Sequence, residues 1–199
     1  MQPASSSRTR KRASPWPPEQ GHWTYKDWQR LPADGFKYEV LDGVLYMAPA
    51  PRLPHQFSSG NLFGQMWNHV RARALGVVLC APTDVRIPGQ PVPVQPDILF
   101  VKKARLNIIK DDIVDGAPDL VVEILSPANW TYDRGEKFRA YEKAGIPEYW
   151  IVDYRLKCIE VFLLEGQTYV LQGKWEAGQT VASRALEGFS VRVNEIFTH

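Results

Sequence analysis

Two short runs constrain this chain more than anything else in it: Leu120-Val121-Val122-Glu123-Ile124-Leu125, and Glu148 to Asp153. Neither alternates between apolar and polar, so each reads as a strand covered on both faces. The roughly 22 residues between them carry a helical pattern from about Asp133 to Ala144, with Gly145 as a left-handed cap and Pro147 just beyond. Strand, helix and strand at that spacing make a parallel βαβ unit, with a right-handed crossover expected. The fold class is therefore α/β.

The flanking segments fill out the sheet. Thr24 is placed to cap a short helix through Asp27, Trp28 and Leu31 that stops at Pro32. Lys37–Leu41 and Val44–Met47 sit on either side of Asp42-Gly43, a hairpin signal. Apolar positions from His55 to about Ala74, among them Leu62, Met66, Trp67 and Val70, recur at helical spacing, so Trp67 and the strand residue Trp150 are assigned to core packing. Strands are expected at Val77–Cys80, near Asp84–Ile87 and at Asp97–Val101. Residues 102–118 are charged and show no period. Antiparallel strands follow at Cys158–Leu164, Thr168–Leu171 and near Val181–Val193. The sum is a mixed central sheet flanked by helices, with C-terminal antiparallel strands.

Glu123 is out of place in that picture. Period-two alternation puts it on one strand face with Val121 and Leu125, where an uncompensated carboxylate costs several kcal/mol. Asp97 opens its own apolar strand directly after Pro96. Were the two strands neighbours, their carboxylates would converge on one hard cation that keeps several waters, the way Mg²⁺ is held. Lys137 lies on the edge of the inward stripe Phe138, Tyr141, Gly145 of the following helix, from which an ammonium reaches back towards Glu123 or a phosphate. Two acids and a lysine suit phosphodiester hydrolysis. Each has an ordinary reading too: an acid near a strand end is often a cap, and a lone helix lysine is usually solvated.

Composition sets the outer bounds. Hydrophobic residues make up 44% and charged residues 23% of 199, as in soluble globular proteins, and no apolar run approaches a membrane span or a secretory signal. Cys80 and Cys158 are too few and too far apart for a disulfide scaffold or a zinc site, which favours free thiols in a reducing cytoplasm. Residues 1–20 are rich in Ser, Pro and basic residues and read as a disordered tail, leaving 21–199 as one domain. That tail carries Arg8, Arg10, Lys11 and Arg12 against Glu19. The net charge of +2 thus becomes about −1 for the rest, which gives no support to a polyanionic partner. Lys102, Lys103 and Arg105 fit phosphate steering or a charged surface loop equally.

The motifs carrying these residues resemble a known family. They are Glu39-Val-Leu-Asp42-Gly43, His55-Gln56, Asp84, Pro96-Asp97, Glu123-Ile-Leu-Ser126-Pro127, Asp133-Arg-Gly-Glu-Lys137, Tyr141 and Gly145-Ile-Pro-Glu148-Tyr149-Trp150-Ile-Val-Asp153. Together they look like the Uma-type "putative restriction endonucleases" of the PD-(D/E)XK nuclease superfamily, from about Tyr25 to about Phe162 and most specifically over 119–153. The resemblance implies a restriction-endonuclease-like core, Mg²⁺ (or Mn²⁺) dependence, DNA as substrate and a homodimer. It makes Asp97 and Glu123 the metal-binding acids. The superfamily lysine expected two residues after the glutamate is Leu125 here, and the resemblance implies that a helix lysine, Lys137, takes its role.

Four further residues are supporting candidates. Glu39 is a third acid or a plain strand acid. His55 is a general acid, a phosphate contact or a helix cap. Asp84 supports the metal shell or ends a strand, and Tyr141 is a core aromatic with a hydroxyl tip or a catalyst. The rival functions are a catalytically silent nucleic-acid-binding or assembly module on the same fold, and a hydrolase of small phosphoesters.

Overall fold

A computed structural model describes residues 16–126 and 130–198. α1 (Tyr25–Trp28) is closed by a reciprocal cap: the Thr24 side chain accepts from Asp27 N while the Asp27 carboxylate accepts from Thr24 N. β1 (Phe36–Leu41) and β2 (Val44–Pro49) pair as a hairpin. Asp42 and Gly43 take φ of 47° and 75°, the mirror-image turn whose twist matches its strands. A Cβ on Gly43 would lie 2.4 Å from the Gly21 carbonyl oxygen, so only glycine fits.

α2 (Leu53–Arg73) is the longest helix, with Pro in its first turn and Ala74 in the left-handed conformation after its end. β3 (Gly76–Cys80), β4 (Val85–Arg86) and β5 (Ile98–Lys102) follow. The periodless stretch from 102 becomes a 3-10 turn (Lys103–Ile108) and the short β6 (Val114–Asp115), which pairs parallel to β4. β7 (Leu120–Ile124) leads into α3 (Trp130–Tyr132), a wide π-helical turn (Asp133–Lys137) and α4 (Phe138–Lys143). Gly145, at φ 76°, ends that helical run as expected. β8 (Glu148–Asp153), β9 (Cys158–Glu165), β10 (Thr168–Glu176), β11 (Thr180–Ala182), β12 (Ser190–Arg192) and α5 (Val193–Ile196) complete the chain.

Six strands form the central sheet in the order β10-β9-β8-β7-β5-β3. β7 and β8 pair in parallel, as the βαβ spacing requires, and all other neighbours are antiparallel. Alternation sorts side chains onto two faces. Leu120, Val122, Ile124, Trp150 and Val152 pack against Leu62, Met66 and Val70 of α2 and against the C-terminal segment. Val121, Leu125, Tyr149 and Ile151 face Ala140, Tyr141 and Ala144. Each aliphatic side chain buried in these two layers contributes about 1.5–3 kcal/mol.

Two expectations are corrected. Trp67 is not in the core: it is 39% exposed, its ring covered on one side by the Arg71 guanidinium. Lys137 is not at the edge of its helical stripe but inside, because the π turn is wider than an α turn and rotates the side chain inward. The expected tail runs to residue 20. Residues 1–15 of it lie outside the described residues. Within 16–20, Trp16 packs edge-on against Trp23 and under Arg30, while Gln20 hydrogen-bonds both backbone groups of Leu45. Cys80 and Cys158 are both unbonded.

Candidate active site

The carboxylates meet where β5 and β7 run side by side. Ile98 lies opposite Val122, and one step further along the same antiparallel register puts Asp97 opposite Glu123. Both residues then share the sheet face of Val121 and Leu99. The two acids and Asp133 line one cavity of about 290 Å³, together with His55, Lys37, Arg52 and the segment Ala48–Pro51 at the end of the hairpin.

Lys137 is the hub of this cluster. It is 1% exposed, and its Nζ donates to Glu123 Oε1 at 2.9 Å. The same ammonium lies 3.1 Å from Glu39 Oε2 and 3.7 Å from Asp133 Oδ1. It also sits 5.3 Å from the centre of the Tyr132 ring. Burial alone would lower its pKa, but Glu123, Glu39 and the neighbouring oxygens outweigh burial and hold it well above the ordinary lysine value. Lys137 is therefore a fixed positive charge and not a proton acceptor.

Each acid is handled differently. Burial pushes Asp97 upwards, but the His55 hydrogen bond and the charges of Lys37 and Lys137 outweigh it and bring the carboxyl to about 2. Its Oδ2 accepts from Ile124 N at 2.8 Å and lies 3.2 Å from His55 Nε2. An ionised Asp97 accepts only, so His55 Nε2 carries the proton and faces it. Glu123, 2% exposed, is raised by burial against the pull of Lys137. Its Oε1 takes the Tyr141 hydroxyl at 2.6 Å as well as Lys137. Burial also opposes ionisation of Glu39, yet Lys137, Lys37 and the amide of Gln95 lower its pKa. Asp133 is driven well above the usual carboxyl range by burial.

One oxygen on each central acid remains open. Among the described residues, Asp97 Oδ1 and Glu123 Oε2 receive no hydrogen bond, while their partner oxygens each take two. Two such oxygens lining one cavity suit a cation held by one or two carboxylates and completed by water. Among the described residues no group of three or more His, Cys, Asp or Glu forms a ready-made metal cage. The residues present thus fit a divalent cation that keeps several waters and not a fully protein-ligated ion.

Of the residues singled out from sequence, Asp97, Glu123, Lys137, Glu39, His55 and Tyr141 are brought together. Asp84 is not: its Oδ1 accepts from Gln95 Nε2, and it lines a separate recess with Lys110, Asp111 and Asp112. Leu125, where the superfamily lysine is expected, packs in the apolar layer. Arg105 is spent on Asp119 and the Ala117 carbonyl. Three residues of the cluster were missed: Asp133, Lys37 and Tyr132. Asp133 stands four residues before Lys137, and Lys37 two before Glu39 on the same strand face, so both spacings were readable. Nothing in the sequence pointed to Tyr132.

The fold is shared with a protein of known structure. A solved structure described as "a putative nuclease belonging to DUF820", from Anabaena variabilis, superposes with a TM-score of 0.70 at 16% identity, over 87% of this chain and 97% of that one. The chain matches the Uma2 family, described as "Putative restriction endonuclease", over residues 25–194, and it belongs to that family. No curated protein matches it. Among the described residues no helix is long and apolar enough to cross a membrane.

Proposed function

We propose that this protein is a Mg²⁺- or Mn²⁺-dependent endonuclease that hydrolyses DNA phosphodiester bonds, with residues 21–199 as one catalytic unit working in a homodimer in the cytoplasm. The observation that carries the reading is the pair of open carboxylate oxygens, Asp97 Oδ1 and Glu123 Oε2, beside a permanently charged and fully buried Lys137. Family membership supports the reaction class.

Asp97 and Glu123 would hold the metal. When bound, such an ion supplies Lewis acidity and a water acidified towards neutral pH. The other work falls to the chain. The His55 Nε2–H and the Ile124 amide hold Asp97 Oδ2, which fixes the orientation of the free oxygen. Tyr141 and Lys137 do the same for Glu123 through Oε1. Lys137 steadies the negative charge that grows on the scissile phosphate, and its high pKa keeps it charged throughout. Enclosure among Tyr141, Tyr149 and Tyr132 strengthens that interaction by excluding water.

The test is a plasmid-nicking assay with and without Mg²⁺ or Mn²⁺, beside Asp97→Ala, Glu123→Ala and Lys137→Ala. Metal-dependent nicking lost in all three variants bears the proposal out. DNA retention without cleavage, unchanged by chelator, would replace it with a silent binder. Turnover confined to small phosphoesters would replace the substrate.

A further inference from the structure

The exposed side of α2 differs from the rest of the surface. From Arg52 to Arg73 the chain has three arginines and no Asp or Glu at all, although the sequence outside residues 1–20 carries a small net negative charge. Elsewhere Arg86, Arg105 and Arg139 each face an acid, while Arg30 covers Trp16 and Arg184 binds Gln172. On α2, Arg52, Arg71 and Arg73 form no ion pair among the described residues: Arg71 lies over Trp67, Arg73 binds His69, and Arg52 lines the cavity.

Helical spacing collects these groups on one stripe. Leu53, Gly60, Gly64, Trp67 and Arg71 fall within about a third of the helix circumference, with Arg52 at its start. Leu53 is 70% exposed and Arg71 is exposed as well. A Cβ at Gly60 or Gly64 would meet nothing within 4 Å, so internal packing does not demand glycine at either position. Each glycine costs a helix interior roughly 1 kcal/mol relative to alanine. Their effect is a shallow saddle between Arg52 and Arg71, about 28 Å apart along the axis.

We propose that this face of α2 is the track on which the nucleic-acid substrate lies as it enters the cavity. Arg52 and Arg71 hold phosphates at the two ends, the glycine saddle admits the backbone closely, and Trp67 offers its free edge and face to an unstacked base. Guanidiniums that form no ion pair, on a helix without Asp or Glu, are complementary to a polyanion and repel a second copy of the same face. This inference rests on the nuclease reading and adds where the substrate runs.

Direct binding tests it without catalysis. Fluorescence anisotropy of a labelled DNA duplex and a labelled single strand, in chelator, is measured over a salt series for wild type, Arg71→Glu, Arg71→Gln and Trp67→Ala, each checked for native circular dichroism. The glutamate variant is expected to weaken both complexes about tenfold, and the glutamine variant to reduce the slope of log K against log salt by about 1. Trp67→Ala is expected to weaken the single strand more than the duplex. Unchanged affinities and slopes beside intact wild-type nicking would overturn the track and leave the nuclease standing. A variant that turns a dimer into a monomer while DNA binding is unchanged would reassign the face to self-association and overturn the track too. Neither binding nor nicking by wild type would remove both.

Discussion

Glu123 and Glu148 are both buried carboxylates in the same parallel strand pair, and they have opposite fates. Glu148 sits at the start of β8 on the α2 side of the sheet, and all its capacity is used: Trp150 Nε1 donates to Oε1, while the Ser183 hydroxyl and the amides of Arg184 and Ala185 donate to Oε2. It pins the C-terminal segment to the sheet and has nothing left to offer. Glu123 lies towards the end of β7 on the other face, with both its donors on one oxygen and the second oxygen open. Burial raises the pKa of both groups, so burial alone does not separate a structural acid from a functional one. The count of unused lone pairs, and what lies beside them, does.

That contrast can be broken in several ways. The largest expected effect is on the proposed activity: Glu123→Gln should lower metal-dependent nicking by about 10²-fold or more, whereas Glu148→Gln should leave the rate of the folded protein near wild type. Equal losses in the two variants would erase the distinction. Stability should follow a different order. Lys137→Met strands Glu39, Glu123 and Asp133 without their shared cation, and urea unfolding should show a loss of about 3–5 kcal/mol. Glu148→Ala removes the acceptor of several donors at once and should cost about 2–3 kcal/mol by the same measurement.

Acid unfolding gives a sharper view of the same region. Asp97 has a folded pKa of about 2, below its unfolded value, so its contribution is present above pH ~4 and is lost as pH falls towards 2. The contribution is about 2 kcal/mol. In chelator, Asp97→Asn should flatten the stability profile over that window. Glu123 has the opposite sign: its raised pKa makes ionisation a cost that grows as pH rises through it. Glu123→Gln should therefore lose relatively less stability near neutral pH than Asp97→Asn. The smallest change is expected for Tyr141→Phe, about 1 kcal/mol, with the Glu123 carboxyl shifted further upward once the 2.6 Å hydroxyl is gone.

The legible parts of the site share a physical cause. Glu123 stood out because a charge interrupts an apolar strand, and Asp97 because an acid begins one. The antiparallel register then set them opposite each other, which neither run could announce alone. Lys137 was visible by its spacing from Tyr141, but its depth came from the π turn. Asp84 could not be assigned between its two readings, because a strand-end acid looks the same whichever recess it borders; Gln95 holds it at a separate recess. Trp67 was misjudged because helical periodicity locates a stripe of large residues without saying whether anything covers its edge.

Local chemistry written into the chain was enough to dictate the elements and their faces: alternation, Asp42-Gly43, the Thr24 cap, Gly145 and the βαβ spacing all act over a few residues. It was also enough to mark two carboxylates as anomalous. Which hairpin acid would join them, how far inside Lys137 would lie, and which oxygens would stay open were decided by tertiary structure. Those outcomes depend on contacts between segments 14 to 58 residues apart, such as Lys137 with Glu123 and Lys37 with Gln95, whose geometry no local pattern encodes.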